Sequence, residues 1–427
     1  MLDAKLIRSD PDGVRTALER RGGDAAAGVD RFLELDGERR ELLQRVETAR
    51  ADRNAAAKAI AEAKGRGEDA AAEIARQSEL KRSQSEGEEA LARIEAAISE
   101  VMVALPNPPH PSAPVGDTEE DAEVVRVHGE RPSFPFPPKD HLDLAGPQGL
   151  ALIDPERAAR VSGSRFHYLL GDLVRLEFAL LQWGMAKLSA RGFVPVIPPV
   201  LVKREAMVGT GFFPEAEAQV YALSSDELFL VGTAEVPLAS MHGGELLSED
   251  DLPLHYVGFS PCFRREAGAA GKDTRGIFRV HQFDKLELFS YCHPDRSWDE
   301  QESLLAIEEE IAQELGFHYR VVNVAAGDLG ASAARKFDIE VWLPGQERYR
   351  ELTSCSNCTD YQARRLNIRF RAEGGKPQFV HMLNGTAITS SRTLLALIEY
   401  GQQEDGSIAT PAVLHPFGAP AVISGGA

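Results

Sequence analysis

A cluster of positive charge lies in the middle of this 427-residue chain. The stretch FRREAGAAGKDTRGIFRVHQF, residues 263–283, contains two carboxylates and five cations, which are Arg264, Arg265, Lys272, Arg275 and Arg279. Arginine can bind a phosphate through two parallel hydrogen bonds, and an aromatic ring such as that of Phe283 can stack on a base. The residue types therefore indicate a nucleotide site. On composition alone they are also typical of a charged, exposed hairpin, and both interpretations stay open at this point.

Two strands must position these side chains. Arg264 and Glu266 follow an apolar run, and residues two apart in a strand point to the same face. We expect this strand to continue through Glu266. Residues 267–276 then form a loop, and FRVHQF (278–283) returns as the antiparallel partner.

The overall charge makes the local cluster informative. The net charge is −19, which favours solubility and disfavours indiscriminate binding to nucleic acid. A polyanion must therefore meet a local positive patch. The start of the chain does not resemble a secretory signal, no apolar run is long enough to cross a membrane, and four cysteines do not suggest a disulfide scaffold. We predict a cytoplasmic protein without a membrane partner.

The N-terminal quarter has a helical pattern of its own. Residues 31–100 lack proline and carry a heptad seam, with a glycine-containing reversal at KGRGED. The seam predicts an antiparallel helical hairpin, within an N-terminal domain at residues 1–105. The proline-rich stretch at 106–138 predicts a linker, and residues 139–427 predict a second domain.

The second domain mixes helices and strands. Helices are predicted at 165–190, at 299–315 and from about Ser391. Several strand-like runs follow one another without a helix between them, which indicates an antiparallel sheet. The predicted fold class is α+β, with an antiparallel sheet flanked by helices.

Three motifs in this domain resemble the signatures of class II aminoacyl-tRNA synthetases. RGFVPVIPP (191–199) is similar to the first motif, and residues 263–283 are similar to the second. LNGTAITSSRTLLALIEY (383–400) is similar to the third. More specifically, the chain resembles the seryl-tRNA synthetases over nearly its whole length. Further resemblance lies in MLDAKLIRSDP, VGTAEVPL, HQFDKLEL, ELTSCSNCTDYQARR and TPAVLHPFG.

The resemblance implies a set of ATP-binding residues, with Mg²⁺ held by Glu351 and Ser354. A carboxylate and a hydroxyl are oxygen ligands that suit this ion. The Val280 backbone and the ring of Phe283 would hold adenine, and Arg392 would lie on the other face of the base. The complete implied ATP set is Arg264, Arg265, Glu266, Val280, Phe283, Glu351, Leu352, Thr353, Ser354 and Arg392.

A second implied set would bind the amino acid L-serine. Carboxylates can accept hydrogen bonds from the ammonium and the hydroxyl of serine. The implied residues are Thr233, Ala234, Glu235, Glu287 and Thr386. Without the motifs around them, these residues would be typical of solvated strand ends and ordinary turns.

The resemblance also implies macromolecular partners, namely tRNA(Ser), tRNA(Sec) where the host has it, and a second copy of the chain in a homodimer. The helical hairpin would grip tRNA, although a dimerising or scaffolding coiled coil is the alternative. Its tip-side half is basic, and phosphates can be recognised there by shape. The tRNA-binding candidates are Arg50, Arg53, Lys58, Lys64 and Arg66 on the hairpin, and Lys272 and Arg275 in the loop.

Cys355 and Cys358 could suggest a zinc site. A structural zinc ion needs four ligands, and no second pair has suitable spacing, so we expect no zinc. Two other functions remain as alternatives. One is a ligase that loads an amino acid onto a carrier protein, and the other is a non-catalytic coiled-coil binding protein. The long hairpin argues against the first, and intact motif residues such as Arg264 and Arg392 argue against the second.

Overall fold

A computed structural model describes residues 1–267 and 275–425. The chain separates into two compact units. One comprises Leu2–Glu19 and Gly23–Pro106, and the other comprises Met1, Arg20–Gly22 and Asn107–Ala427. Among the described residues, no helix is both long and apolar enough to cross a membrane.

The smaller unit is helical. Its helices are α1 (Ala4–Ser9), α2 (Pro11–Glu19), α3 (Ala27–Gly65) and α4 (Ala71–Ala104). Helices α3 and α4 pack along each other as a hairpin. The predicted seam faces the partner helix, since Leu35, Val46, Ile60 and Ala63 are buried. Gly87 lets the helices approach closely, because a Cβ atom there would lie 2.8 Å from Cγ2 of Val46.

The larger unit is built on strands. Its first nine are β1 (Glu123–His128), β2 (Ile153–Asp154), β3 (Tyr168–Leu169), β4 (Val194–Val196), β5 (Leu201–Lys203), β6 (Ala222–Leu223), β7 (Leu228–Leu230), β8 (Leu246–Ser248) and β9 (Leu254–Phe263). The others are β10 (Gln282–Cys292), β11 (Tyr319–Asn323), β12 (Arg335–Leu343), β13 (Arg348–Asn357), β14 (Arg369–Arg371), β15 (Gln378–Phe379), β16 (His381–Thr389), β17 (Ile408–Ala409) and β18 (Val422–Ile423).

Helices flank these strands. They are α5 (His141–Ala145), α6 (Pro155–Ser162), α7 (Asp172–Ser189), α8 (Arg204–Thr210), α9 (Glu235–Ser240), α10 (Ser297–Glu314), α11 (Tyr361–Leu366) and α12 (Ser390–Gly401). Within the described ranges, the largest sheet has eight strands in the order β1-β11-β12-β13-β16-β10-β9-β4. Its pairs are antiparallel, except that β4 runs parallel to β9.

Side chains of strand β10 point alternately to the two faces of the sheet. Leu286 and Leu288 point into the main core, which also contains apolar residues of α7, α10 and α12. Phe289 and Tyr291 point to the opposite face and pack with α9 and α11. Because side chains alternate along a strand, Glu287 shares this second face with Phe289. The sheet thus presents charged groups on the face opposite the main core.

Three sequence-based boundaries are wrong. Helix α7 begins at Asp172 rather than near residue 165, because Tyr168 and Leu169 pair with β2. Strand β9 ends at Phe263 rather than continuing through Glu266, which has a left-handed φ of 50°. The returning strand begins at Gln282, so residues 275–281, here named the return segment, are irregular.

Candidate active site

A cavity of about 60 Å³ brings residues of the second and third motifs together with residues of β13. Eight of the ten predicted nucleotide-binding residues line it, namely Arg264, Glu266, Val280, Phe283, Glu351, Leu352, Ser354 and Arg392. The predicted serine-binding residue Thr386 lines it as well. A larger cavity of about 1160 Å³ adjoins it and shares Phe278, Arg279, Glu351 and Arg392.

Arg264 connects the two predicted subsites. Its guanidinium carbon lies 5.2 Å from the centre of the Phe283 ring, and its Nε donates to the carbonyl oxygen of Gly232 at 3.1 Å. Gly232 directly precedes Thr233, which belongs to the predicted serine set. His281 holds the Arg264 backbone in place, since its Nδ1 lies 2.8 Å from the Arg264 carbonyl oxygen. The guanidinium is therefore held between the Phe283 ring and the loop that carries Gly232 and Thr233.

Glu266 faces the same cavity although it lies outside the strand. Arg279 Nη1 donates to Glu266 Oε2 at 2.6 Å, which joins the residues before the loop to the return segment. A half-buried ion pair of this kind orders both side chains. Glu266 thus reaches the cavity that Arg264 lines through a turn and an ion pair, and not through the strand alternation that the sequence predicted.

Glu351 and Arg392 join β13 to α12. Arg392 Nη1 donates to Glu351 Oε1 at 2.8 Å and to the Glu351 carbonyl oxygen at 3.2 Å. Burial alone would raise the pKa of Glu351, but the charges of Arg392 and Lys336 outweigh it and lower the pKa below its usual range. Glu351 is therefore ionised at neutral pH.

Glu351 of this pair and the nearby Ser354 provide hard oxygen donors that suit Mg²⁺. The ionised Glu351 carboxylate and the Ser354 hydroxyl line the same cavity. A magnesium ion prefers one or two protein carboxylates and completes its coordination with water and substrate phosphate. The residues present therefore fit this ion. Among the described residues, no group of three or more His, Cys, Asp or Glu side chains is placed to hold a metal.

A buried polar cluster brings together three residues of the predicted serine set, Thr233, Glu287 and Thr386. Thr233 Oγ1 donates to Glu287 Oε2 at 2.7 Å, and Lys285 forms an ion pair with the same carboxylate. Glu287 is only 1% exposed, and Thr386 lies opposite it on β16. A buried carboxylate requires such partners, because leaving it uncompensated is costly.

Glu235 is the second carboxylate of the predicted serine set. It begins α9, it is buried, and its Oε1 accepts from Gln362 Nε2 at 2.7 Å. Burial, together with the charge of Glu287, raises the pKa of Glu235 to about 7. A cation that neutralised this carboxylate would therefore bind favourably.

Three predicted residues make different contributions. Arg265 is exposed and does not line the cavity; its backbone amide donates to the carbonyl of Gln219. Thr353 is buried within β13 and also does not line it, while its neighbour Ser354 does. Ala234 is fully buried in the apolar cluster beside β10, so only its backbone could contact a ligand.

The sequence analysis missed several residues of the cavity wall. They are Phe278, Lys285, Thr389 and Ser391, whereas Arg279, which also lines the wall, belonged to the predicted cation cluster. Lys285 carried a usable signal, because it stands two positions before Glu287 in a strand and must share its face. Phe278 carried none, since its role depends on arginines from β13 and α12. Its ring centre lies 3.5 Å from the guanidinium carbon of Arg350 and 4.7 Å from that of Arg392.

Comparison with known proteins identifies the family. Residues 1–109 match the seryl-tRNA synthetase N-terminal domain, and residues 220–400 match the class II tRNA synthetase core domain (G, H, P, S and T). The serine–tRNA ligase of Thermobifida fusca (strain YX) is 49% identical over 419 residues, which cover 98% of this chain and 97% of that protein. The chain belongs to the seryl-tRNA synthetase family.

Solved structures of seryl-tRNA synthetases agree. The enzyme from Pyrococcus horikoshii, crystallised with ATP, matches with a TM-score of 0.94 and 43% identity, and covers 100% of both chains. The cytoplasmic serine–tRNA ligase of Naegleria fowleri, in complex with AMP, matches with a TM-score of 0.88 and 33% identity. It covers 100% of this chain and 99% of that one. The predicted family and α+β class II fold are confirmed.

The residues predicted to meet tRNA lie in two places. Four of the hairpin candidates are exposed (Arg50, Lys58, Lys64 and Arg66), whereas Arg53 lies half-buried on the seam. Arg275 forms ion pairs with Asp140 at 3.2 Å and with Asp143 at 2.5 Å. Lys272 lies outside the described residues.

Proposed function

We propose that this protein is an ATP-dependent serine–tRNA ligase. The observation that carries the proposal is the single contact from Arg264 to Gly232, which joins a cationic, aromatic cavity to a loop beside two buried carboxylates. Full-length similarity to serine–tRNA ligases supports it. The proposed reaction has two steps. The serine carboxylate attacks the α-phosphate of ATP and releases pyrophosphate; then a terminal ribose hydroxyl of tRNA attacks the activated carbonyl and releases AMP.

ATP would span the smaller cavity and the larger cavity that adjoins it, because about 60 Å³ is too little for a whole nucleotide. We propose that adenine stacks on Phe283 with Arg392 on its other face and the Val280 backbone at its edge. Arg264 and Glu266 would lie beside the phosphates and the adenylate, and Leu352 would complete the wall. The larger, polar cavity that shares Arg279 and Arg392 offers room for the departing pyrophosphate. We leave Arg265 and Thr353 out of this contact set, because neither lines the cavity.

We propose that Glu351 and Ser354 hold Mg²⁺ with the nucleotide. When bound, the ion would neutralise phosphate charge as pyrophosphate leaves. The chain's own contribution is an ionised carboxylate, which Arg392 keeps deprotonated.

Serine would occupy the side of the cavity formed by Thr233, Glu235, Glu287 and Thr386. Glu235 is suited to the ammonium group, since it is a buried carboxylate that forms no ion pair within the described part of the chain and is influenced by Lys285 and Arg264 only through weaker electrostatic effects. Glu287 and Thr386 are suited to the hydroxyl, and the backbone at Ala234 would close the pocket. A site built to pair a hydroxyl discriminates strongly against alanine, because alanine would leave buried polar groups unpaired.

This arrangement needs no general base for the first step, because the nucleophile is already an anion. The rate then depends on holding the carboxylate and the α-phosphate together and on stabilising the charge that moves to pyrophosphate. Arg264 lies between the two subsites and meets both requirements. We therefore propose that it is the residue most important to the activation step.

We propose that tRNA(Ser) is the acceptor, and tRNA(Sec) where the host has it. The helical hairpin would bind the tRNA through exposed cations near its tip, including Arg50, Lys58 and Lys64. Such contacts depend on phosphate charge and backbone shape rather than on base sequence. We propose that Arg53 and Arg66 also contribute to tRNA binding on the hairpin. Arg275 and Lys272 would contact the acceptor end of the tRNA.

We propose that the protein is a homodimer. Strand β4 is at one edge of the large sheet, and exposed apolar side chains lie on it (Val194, 54%), just after it (Ile197, 80%) and on the neighbouring helix α7 (Phe178, 60%). Exposed apolar clusters beside a free strand edge are costly in a monomer. A twofold interface would bury them, and it is the commonest form of oligomer.

We propose a cytoplasmic location. All four cysteines are free thiols, and all are buried. Burial raises the pKa of the Cys262 thiol to about 12, which makes it unreactive. Unpaired cysteines of this kind are typical of a reducing compartment.

Pyrophosphate exchange tests the proposal. The full-length protein is incubated with ATP, Mg²⁺, labelled pyrophosphate and each of the twenty amino acids in turn. Serine alone should support rapid exchange, and aminoacylation should then require tRNA(Ser). Loading of a carrier protein instead of tRNA would favour the alternative ligase, and absence of exchange with every amino acid would favour a binding protein.

A further inference from the structure

We propose that His141, on helix α5, is a positioning residue that holds the return segment in the conformation that binds ATP. The proposal rests on the proposed function, since it concerns the nucleotide side of that site. His141 lies outside the cavity wall and acts through residues that line it.

The hydrogen bonds of the ring define its state. The backbone N–H of Ile277 donates to His141 Nε2 at 3.2 Å, so Nε2 must be the unprotonated nitrogen. The ring proton is then on Nδ1, which faces Glu399 Oε1 at 3.4 Å. His141 is 4% exposed and Glu399 is fully buried, so water does not replace these contacts. The ring is therefore a neutral bridge with a fixed orientation.

Glu399 is itself held from several directions. Its Oε2 accepts from the backbone N–H of Gly345 at 2.9 Å, and its Oε1 faces the backbone N–H of His141 at 3.4 Å. Glu399 is on α12, seven residues after Arg392, so the two are about two helical turns apart on a similar face. The ring of His141 thus connects the helix that carries Arg392 to the backbone of the return segment.

The return segment fits closely against the ring. Gly276 has a φ of +84°, a conformation that favours glycine. A Cβ atom at this position would lie 2.1 Å from His141 Nε2. Glycine is thus required twice here, by the backbone conformation and by the imidazole that occupies the space.

The residues after Ile277 carry the nucleotide wall. Phe278 lies against the guanidinium groups of Arg350 and Arg392, and Arg279 pairs with Glu266. Loss of the bond at Ile277 would let this short stretch shift relative to α12. A displacement of about an ångström at such a site can lower the rate by roughly 100-fold.

Two substitutions of His141 separate positioning from general stability. In His141→Gln, the longer side chain can place an amide oxygen near the former Nε2 position and accept from Ile277. In His141→Asn, the shorter side chain can place an amide nitrogen near the former Nδ1 position and meet only Glu399. We expect the asparagine variant to lose roughly 10- to 100-fold in kcat/KM for ATP, and the glutamine variant to stay within a few-fold of the unchanged protein.

The measurements use the full-length protein. Serine-dependent pyrophosphate exchange gives KM and kcat for ATP and for serine separately, and thermal unfolding monitors the fold. Asp143→Asn is the matched control, because it removes an exposed partner of Arg275 on the same helix, and exposed ion pairs contribute little. It should leave exchange unchanged.

The outcomes separate this proposal from the proposed function. If the unchanged protein shows pyrophosphate exchange with no amino acid, the proposed function fails. Calorimetric titration with ATP then still compares the ATP affinities of His141→Gln and His141→Asn. Equal losses of kcat/KM for ATP in His141→Gln and His141→Asn would overturn the positioning role. Equal changes in the kinetic constants for ATP and for serine would overturn it as well. If His141→Asn does not fold, Gly276→Ala provides the second test, since its methyl group would displace the ring. If Gly276→Ala folds and its kcat/KM for ATP is unchanged, the proposal is also overturned.

Discussion

Thr233→Val removes one hydroxyl from the buried serine side and keeps the shape of the side chain. In the unchanged protein, Thr233 Oγ1 donates to Glu287 Oε2 at 2.7 Å and accepts from the backbone N–H of Glu235 at 3.2 Å. Both side chains are almost fully buried, at 3% for Thr233 and 1% for Glu287. Valine can satisfy neither contact, and water has little access.

The size of the effect follows from these contacts. A hydrogen bond to a charged group contributes about 1.5–3 kcal/mol. Glu287 keeps its ion pair with Lys285, so it does not become an isolated buried charge. Since each 1.4 kcal/mol corresponds to about a factor of ten, we expect kcat/KM for serine to fall by about 10- to 100-fold. The constants for ATP should change far less, because Thr233 does not line the nucleotide cavity.

Pyrophosphate exchange at saturating ATP, with serine varied, measures this loss. Thr210→Val is a matched control, since Thr210 is also buried and its hydroxyl donates at 2.8 Å within its own helix. It should lower the unfolding temperature without a selective change for serine. Equal losses for serine and ATP in Thr233→Val, or serine kinetics that do not change, would refute the assignment of Thr233 to the serine side.

Three further predictions concern the titration of Glu235, the helical hairpin and the edge of the large sheet. The pKa of Glu235 is raised from 4.5 to about 7, so the native state retains its proton more strongly and the unfolding free energy should fall as pH rises between these values. In Glu235→Gln, this fall in the unfolding free energy, measured by urea unfolding across the pH range, should be smaller by up to ~3 kcal/mol. If the unfolding free energy of the variant depends on pH as that of the unchanged protein does, the raised pKa is contradicted. Replacing residues 31–100 with a short linker should preserve pyrophosphate exchange while aminoacylation falls by orders of magnitude, and normal charging would show that the hairpin has another role. Ile197→Glu should produce monomers in sedimentation experiments, and a stable dimer would place the interface elsewhere.

Each motif could be recognised in the sequence because the spacing within it is local, whereas the grouping of the motif residues was implied by the family resemblance. The seam of α3 also followed from its period, and alternation along β10 explains why Glu287 faces the site. In each case, neighbours within a few positions determine where a side chain points. Such information is present in a single sequence.

The features that could not be predicted depend on distant partners. Helix α7 starts late because Tyr168 pairs with Asp154, fourteen residues earlier in the chain. The contact of Glu266 with Arg279 follows a left-handed turn that strand alternation does not indicate. The bridge from His141 to Glu399 spans 258 positions. No local pattern encodes a contact over that distance.

The sparse seam of the hairpin also determines how that unit moves. Between Val46 and Ile60, its seam positions on α3 are Ala49, Arg53 and Ala56, which are only half-buried. Backbone hydrogen bonds with so little apolar cover open at low free-energy cost. In hydrogen exchange, the distal turns of α3 and α4 should therefore exchange faster than the amides near Phe32, where the side chains are buried. A bound ligand that contacts the tip would slow this exchange, which makes the tip amides a direct reporter of what the hairpin binds.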